Sequence, residues 1–222
     1  MIDRGLLYGA CRERVIDLVA HLTPDQAAAR VLACPDWTVH DTIAHMVGIV
    51  TDVNAGNLDG VGQDHWTAAQ VETRKDASMA ELIAEWETGS PQLEDGLRAV
   101  GGIPALVAVA DVWNHEQDIR GALGTPGSHD PAAELAALEG YIAVRAALFD
   151  GLAPLRFVAG NHTFQSGDGE PGATVISEPF ELARMICGRR TADQIRAYRW
   201  DGDAEPYLTR LADLCPAQPL PC

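Results

Sequence analysis

The stretch ADVWNHEQDIRGALG, Ala110 to Gly124, concentrates ionisable side chains directly after the most apolar run of the chain. At about 100° per residue, Asp111 and His115 fall about 40° apart on a helical wheel and share one face, a single turn apart. Asp118 lies within about 60° of His115, whereas Glu116 points elsewhere. The stretch is therefore either the wet side of an amphipathic helix or a set of ligands directed at something such as a metal ion.

A metal site on this helix needs a further ligand from another helix. A carboxylate and an imidazole at positions i and i+4 can reach one ion without straining either side chain, but two ligands do not hold zinc. His45 is the candidate third ligand, because it falls in a helical segment. The set of His45, Asp111 and His115 would leave one position open for water or substrate, which is the catalytic form of a zinc site.

The spacing of the apolar residues around His45 favours the opposite interpretation. In the helix predicted over Val39 to Asn54, His45 lies nearly opposite the aliphatic stripe and is grouped with Asp41 and Asp52. Periodicity alone predicts a solvated face there. Since Asp-x-x-x-His pairs also occur by chance in many helices, spacing leaves both alternatives open.

The first two thirds of the chain carry the pattern of a helical bundle. Apolar residues recur at intervals of three and four in five segments, which are Leu6 to Leu22, Val39 to Asn54, Met79 to Leu97, Ile103 to Leu123 and Pro131 to Leu152. Thr38 and Asp41 predict a capping box at the start of the second helix, and Gly124 closes the fourth. Ser90-Pro91 leaves open whether the third is continuous. Long antiparallel helices in this number indicate a bundle.

The pattern changes after Pro154. Leu155 to Gln165 alternates as a strand, Ser166 to Gly172 is a turn, and ATVIS, Ala173 to Ser177, follows as a second strand, so we predict a hairpin. Two short helices, Pro179 to Cys187 and Ala192 to Tyr198, and an irregular tail complete the chain. We predict a mainly α member of the α+β class, with a helical bundle over residues 1–153 and a small C-terminal α/β domain over residues 154–222.

Composition excludes several classes of partner. The 222 residues include 16 basic and 32 acidic ones, for a formal net charge of −16. This charge repels phosphate backbones and anionic lipid, so we expect no nucleic acid and no membrane as partners. The five cysteines are scattered and indicate reduced thiols, and no uncharged run is long enough to span a bilayer. A soluble, cytoplasmic protein is the expectation.

Three blocks of sequence carry a resemblance to a known family. They are CPDWTVHDTIAHMVG (Cys34 to Gly48), DVWNHEQDIRGALGTPG (Asp111 to Gly127) and EPFELARMICGRRTADQIRAYRWDGD (Glu178 to Asp203). The chain resembles the mycothiol-dependent maleylpyruvate isomerase-like family of the DinB/YfiT-like metalloprotein superfamily. The resemblance implies a DinB-like four-helix bundle that holds a divalent metal, usually zinc. A histidine on the second helix and an acidic residue and a histidine four apart on a later helix are the family's ligands, which correspond to His45, Asp111 and His115. The isomerase has glutamate where this chain has Asp111.

The same resemblance implies a function. Family members use the small-molecule thiol mycothiol, so the expected activity is that of an isomerase or S-transferase in which a metal-bound thiolate attacks a small electrophilic substrate. The smaller domain can supply an arginine for an anionic substrate, and Arg189 or Arg190 occupies that place here. Two alternatives remain. One is that both arginines are structural and cap or flank the helix pair; the other is that the protein is a non-catalytic metal-binding bundle that binds a small ligand or partner.

Overall fold

Helices dominate the computed structural model, which describes residues 2–221. The helices are α1 (Arg4–Val19), α2 (Pro24–Ala27), α3 (Val39–Ala55), α4 (Asp64–Arg74), α5 (Met79–Val100), α6 (Gly102–Leu123), α7 (Pro131–Val144), α8 (Pro179–Ile186), α9 (Ala192–Arg196) and α10 (Glu205–Leu211). The strands are β1 (Leu155–Ala159), β2 (His162–Gln165), β3 (Ala173–Ser177) and β4 (Arg199–Gly202). The predicted class, mainly α within α+β, is confirmed. Within the described residues, no helix is both long and apolar enough to cross a membrane.

Local sequence signals fix where several helices begin and end. In α3 the Thr38 hydroxyl accepts a hydrogen bond from the Asp41 backbone N–H at 3.1 Å, and the Asp41 carboxylate accepts one from the Thr38 N–H at 2.9 Å. The predicted capping box is thus present, and each such cap is worth about 1 kcal/mol. Thr191 caps α9 in the same way, and α6 ends at Gly124 with a left-handed φ of 64°. These boundaries follow from the sequence.

Helix α5 continues through Pro91 without a break. The hydroxyl of Ser90 donates to the carbonyl oxygen of Trp86 at 2.7 Å, within the turn that the proline disturbs. A proline inside a helix costs about 3 kcal/mol. Buried apolar side chains on both sides of it offset that cost, and they are Leu82, Trp86, Leu93 and Leu97. Packing therefore decides in favour of the continuous helix.

Helices α4 and α7 are among the helical segments that differ from the prediction. Helix α4 was not predicted, because its buried positions Trp66, Gln70 and Arg74 are spaced by four but two of them are polar. Helix α7 ends at Val144 rather than near Leu152, and a short 3-10 helix, Ala146–Phe149, follows it. Hydrophobic periodicity alone detects neither the polar buried stripe nor the change of helix type.

The sheet has the strand order β2-β1-β3-β4. The predicted hairpin was wrong in its pairing: the alternating stretch from Leu155 to Gln165 forms two strands, β1 and β2, which pair antiparallel around a turn at Gly160. Strand β3 pairs with β1 in parallel, with Phe157 opposite Val175. Because the turn has only two residues, the alternation of side chains continues without a shift from β1 into β2. The alternation alone therefore did not reveal the turn. Strand β4 and helix α10 were also not predicted.

The described residues fall into two compact units. The first comprises residues 2–105, 115–127 and 221, and within it α3 packs against α4 and α5, and α1 packs against α5. The second comprises residues 106–114 and 128–220, and within it α7 packs against α8, which contacts β1 and β3. Helix α6 contributes residues to both. The predicted boundary at residue 154 lies one residue before β1, whereas contacts group residues 106–114 and 128–153 with the sheet.

Candidate metal centre

Helix α3 places His45 in the interior. Its side chain is only 4% exposed, so the solvated face suggested by periodicity is wrong. His45 lies on a different side of α3 from the aliphatic residues of that helix. Helix α3 packs against two helices, α4 and α5. On the α4 side, a Cβ added at Gly48 would lie 2.5 Å from the Cβ of Gln70, so the two helices approach closely. Helix α4, absent from the prediction, thus covers one side of His45.

A hydrogen-bonded chain fixes the orientation of the His45 ring. Nδ1 of His45 lies 2.8 Å from Oε1 of Gln70, and Nε2 of Gln70 donates to Oδ2 of Asp52 at 2.7 Å. The Asp52 carboxylate only accepts, so the amide NH2 must face it and the amide oxygen must face His45. His45 Nδ1 is therefore the donor, and Nε2 of the neutral ring carries the lone pair that can bind a metal.

His115 of α6 faces His45 of α3. The centroids of the two imidazole rings are 5.4 Å apart at an angle of 84°. Trp37 lies against both, with ring centroids 4.8 Å from His45 and 6.2 Å from His115. Nδ1 of His115 is 3.4 Å from Oδ2 of Asp118, one turn further along α6. His115 is thus in contact with two aromatic rings and a carboxylate.

The structure brings the three predicted ligands together. His45, Asp111 and His115 each offer one ligand atom, and these atoms all lie within 4.8 Å of one another. Zinc ligands lie about 2.0–2.2 Å from the ion, so small side-chain rotations bring such atoms around one ion. Two imidazole nitrogens and one carboxylate oxygen are a donor set typical of zinc and related divalent ions. The residues present therefore fit a divalent metal.

Comparison with known proteins identifies the family of this chain. The family model for the mycothiol maleylpyruvate isomerase N-terminal domain matches residues 8–120, just over half of the chain. The chain belongs to the mycothiol-dependent maleylpyruvate isomerase-like family. A crystal structure of a histidine-to-alanine mutant of the mycothiol-dependent maleylpyruvate isomerase is similar with a TM-score of 0.55 and 11% sequence identity. The match covers 89% of this chain and 91% of that chain, and it shows the shared fold. No curated protein sequence matches at a significant level.

Glu116 lies on the same helix as Asp111 and His115, but its side chain binds arginines instead of joining their cluster of ligand atoms. Its side chain is fully buried and accepts hydrogen bonds from Nε of Arg14 at 3.1 and 3.2 Å and from Nε of Arg120 at 3.1 Å. The pair between Glu116 and Arg120, four residues apart, agrees with the expectation that Glu116 points away from the ligands. A buried carboxylate held by two guanidinium groups is stabilising only as a complete set.

The two arginines that the family resemblance nominated are in the second compact unit. Arg190 is 3% exposed, and its guanidinium forms hydrogen bonds of 2.6 and 2.9 Å with the Glu181 carboxylate. These bonds, against the opposing effect of burial, lower the pKa of Glu181, which also accepts a hydrogen bond from Tyr198 at 2.7 Å. Arg189 is partly exposed and donates to the carbonyl oxygen of Cys187 at 3.1 Å. Arg190 thus takes part in an internal ion pair, and a substrate role for either arginine stays a prediction.

Sequence reasoning missed two side chains near the histidines. Gln70 was missed because α4 was not predicted, although the spacing of Trp66, Gln70 and Arg74 by four was the available signal. Cys34 was interpreted only as a reduced thiol. Its position at the start of the first family block, eleven residues before His45, was the signal that places it near the centre.

Proposed function

We propose that this protein is a divalent-metal-dependent enzyme that uses a small-molecule thiol, mycothiol, against a small electrophilic substrate. Zinc is the metal we propose, with His45, Asp111 and His115 as its ligands. The observation that carries the proposal is the convergence of these three donor atoms within 4.8 Å in a chain that belongs to the isomerase-like family.

Each residue has a definite task in this proposal. In this proposal the neutral rings of His45 and His115 each provide one nitrogen lone pair to the metal, and the contact of Gln70 with Nδ1 of His45 assigns Nε2 as the ligand atom. Asp111 provides one negative charge, which offsets half of the charge of a divalent ion. A divalent ion bound here would supply acidity to a coordinated thiol, which becomes the thiolate nucleophile at neutral pH.

The proposed reaction is cis-trans isomerisation: the thiolate adds to one carbon of an activated alkene, the resulting C–C single bond rotates, and the same C–S bond then breaks to release the thiolate and the isomerised alkene. In the related S-transfer, the thiolate instead displaces a leaving group from the electrophile, and the C–S bond is kept. An electrophile of this kind that is conjugated to carboxylates is an anion and calls for a cationic partner. We propose Arg189 for that role ahead of Arg190. The guanidinium of Arg190 already binds Glu181 in a two-point ion pair, and breaking it would leave charge uncompensated.

The experiment combines metal analysis with turnover. Purified protein is analysed for bound metal and assayed with mycothiol and maleylpyruvate, alongside His115→Ala and the control His162→Ala, which replaces an exposed histidine of β2. We expect stoichiometric metal in the natural protein and the control, a sharp loss in His115→Ala, and turnover that needs both metal and thiol. Full metal content in His115→Ala would refute the ligand assignment. Stabilisation by thiol without turnover of any electrophile would instead indicate a non-catalytic binding protein.

A further inference from the structure

A second group of potential metal ligands shares His115. The ligand atoms of Cys34, His115 and Asp118 all lie within 4.8 Å of one another, and all three residues belong to the first compact unit. The thiol is half-buried, and the imidazole and the carboxylate are buried. Sulfur, nitrogen and oxygen donors in one cluster form a set that differs from the His45 set by its sulfur atom.

The loop that carries Cys34 is held in place by its own backbone. Arg30 and Thr38 form an antiparallel bridge, and the Val31 N–H donates to the Trp37 carbonyl at 3.0 Å. Inside this closed loop the Cys34 N–H donates a hydrogen bond to the Val31 carbonyl oxygen at 2.9 Å. The Cys34 carbonyl oxygen accepts one from the Trp37 N–H at 2.8 Å. Cys34 therefore occupies a fixed position next to His115, and its approach does not depend on a flexible segment.

We propose that Cys34, His115 and Asp118 form a second metal-binding position, selective for thiophilic divalent ions and alternative to the His45 position. Thiolates favour ions such as zinc and cadmium, whereas carboxylate and imidazole sets accept harder ions as well. Binding transfers the Cys34 proton to solvent, because the thiolate is the ligand. A neutral imidazole has one nitrogen lone pair, so His115 can serve only one of the two positions at a time.

This inference rests on the proposed function, which identifies the His45 position as the catalytic metal site. It adds a way to regulate that site, because an ion bound at the second position is no longer at the first. An ion held by Cys34 already has a thiolate ligand and has left Asp111 and His45. A small-molecule thiol must then compete with a protein thiol for the same metal. Hard ions such as manganese are expected to remain at the His45 position and to be insensitive to changes at Cys34.

Cobalt(II) distinguishes the two positions, because sulfur ligation adds an intense thiolate-to-metal charge-transfer band in the near ultraviolet. The metal-free protein is titrated with cobalt(II) alone, without added thiol. The variants are Cys34→Ser, Asp118→Asn and Asp111→Asn, with Cys215→Ser as the matched control, since Cys215 is also half-buried and donates to the Leu211 carbonyl in another part of the chain.

We expect the charge-transfer band to be present in the natural protein, in Cys215→Ser and in Asp111→Asn. The band should be weaker in Asp118→Asn and absent in Cys34→Ser. Cobalt binding without the band, or a band that survives in Cys34→Ser, would overturn the inference and leave the proposed function intact. Equal loss of the band in Asp111→Asn and Cys34→Ser would show a single site that uses both residues and would overturn the second position. Failure of the natural protein to bind cobalt would count against both proposals.

Discussion

Nδ1 of His45 lies 2.8 Å from Oε1 of Gln70, although the two residues are 25 positions apart and belong to different helices. Because Asp52 fixes the direction of the Gln70 amide, this single contact selects which nitrogen of His45 is available to a metal. In the proposed metal centre, Gln70 would thus orient a ligand without binding the ion itself.

Replacing Gln70 by Leu is expected to lower zinc affinity by roughly 10- to 100-fold, the usual effect of losing a partner that orients a metal ligand. Competition with a chromophoric chelator measures the affinity. Gln92→Leu is the control, since Gln92 is an exposed amide that bonds only to the Asn54 carbonyl among the described contacts. Equal zinc affinity in Gln70→Leu and the natural protein would show that the contact does not orient His45.

Replacing Asp111 by Asn is expected to weaken zinc binding while the metal-free fold keeps its stability to within about 1 kcal/mol. An ion that binds only the folded state stabilises it by about 2.7 kcal/mol at 100 times its dissociation constant. Thermal melting with and without chelator should therefore give a large shift for the natural protein and a small one for the variant. Asp213→Asn, at an exposed position, is the control. Identical chelator-induced shifts in all three proteins would remove Asp111 from the ligand set.

Replacing Glu116 by Gln is expected to destabilise the protein by about 3 kcal/mol, because two arginines lose the buried charge between them. Chemical denaturation measures the loss. Glu72→Gln, which breaks an exposed pair with Lys75, is the control and should change stability by less than about 0.5 kcal/mol. A change in Glu116→Gln as small as in the control would mean that solvent reaches the cluster.

The ion pair of Glu181 and Arg190 predicts a dependence of stability on pH. Arg190 lowers the pKa of Glu181 below its ordinary value of 4.5, so the pair contributes stability above that pH and loses it as pH falls through the lowered pKa. Glu181→Gln is expected to lose about 1–2 kcal/mol at pH 7. The difference from the natural protein should shrink on acidification.

Melting temperatures measured from pH 7 down to below 4.5 follow this convergence, with exposed Glu170→Gln as the control. A stability gap for Glu181→Gln that stays constant over this range would argue against a pair that titrates.

The sequence allowed good prediction of features that depend on neighbours in the chain. Thr38 and Asp41 give the start of α3 through one reciprocal pair of hydrogen bonds, and Asp111 and His115 share a face because a helix turn is 3.6 residues. These relations need only local geometry. The same holds for the end of α6 at Gly124, whose left-handed backbone suits glycine.

Features that depend on packing against a distant segment were not predictable in this way. His45 is covered in part by α4, and the buried positions of α4 include polar side chains such as Gln70, which no hydrophobic period detects. Strand β3 pairs with β1 and not with β2. The alternation of side chains is similar in these strands, so it does not indicate which of them pair. Likewise, the approach of Cys34 to His115 depends on a loop closed by backbone hydrogen bonds, which any sequence of suitable turn residues can form.

The close approach of α3 and α4 at Gly48 has a consequence for the evolution of the family. An alanine at position 48 would place its methyl group 2.5 Å from the Cβ of Gln70, so α4 would have to move and the amide would be drawn away from His45. Selection on position 48 is therefore coupled to selection on position 70. In an alignment of close relatives we expect glycine at 48 and glutamine at 70 to be inherited together, and lineages that lose one to have lost the other.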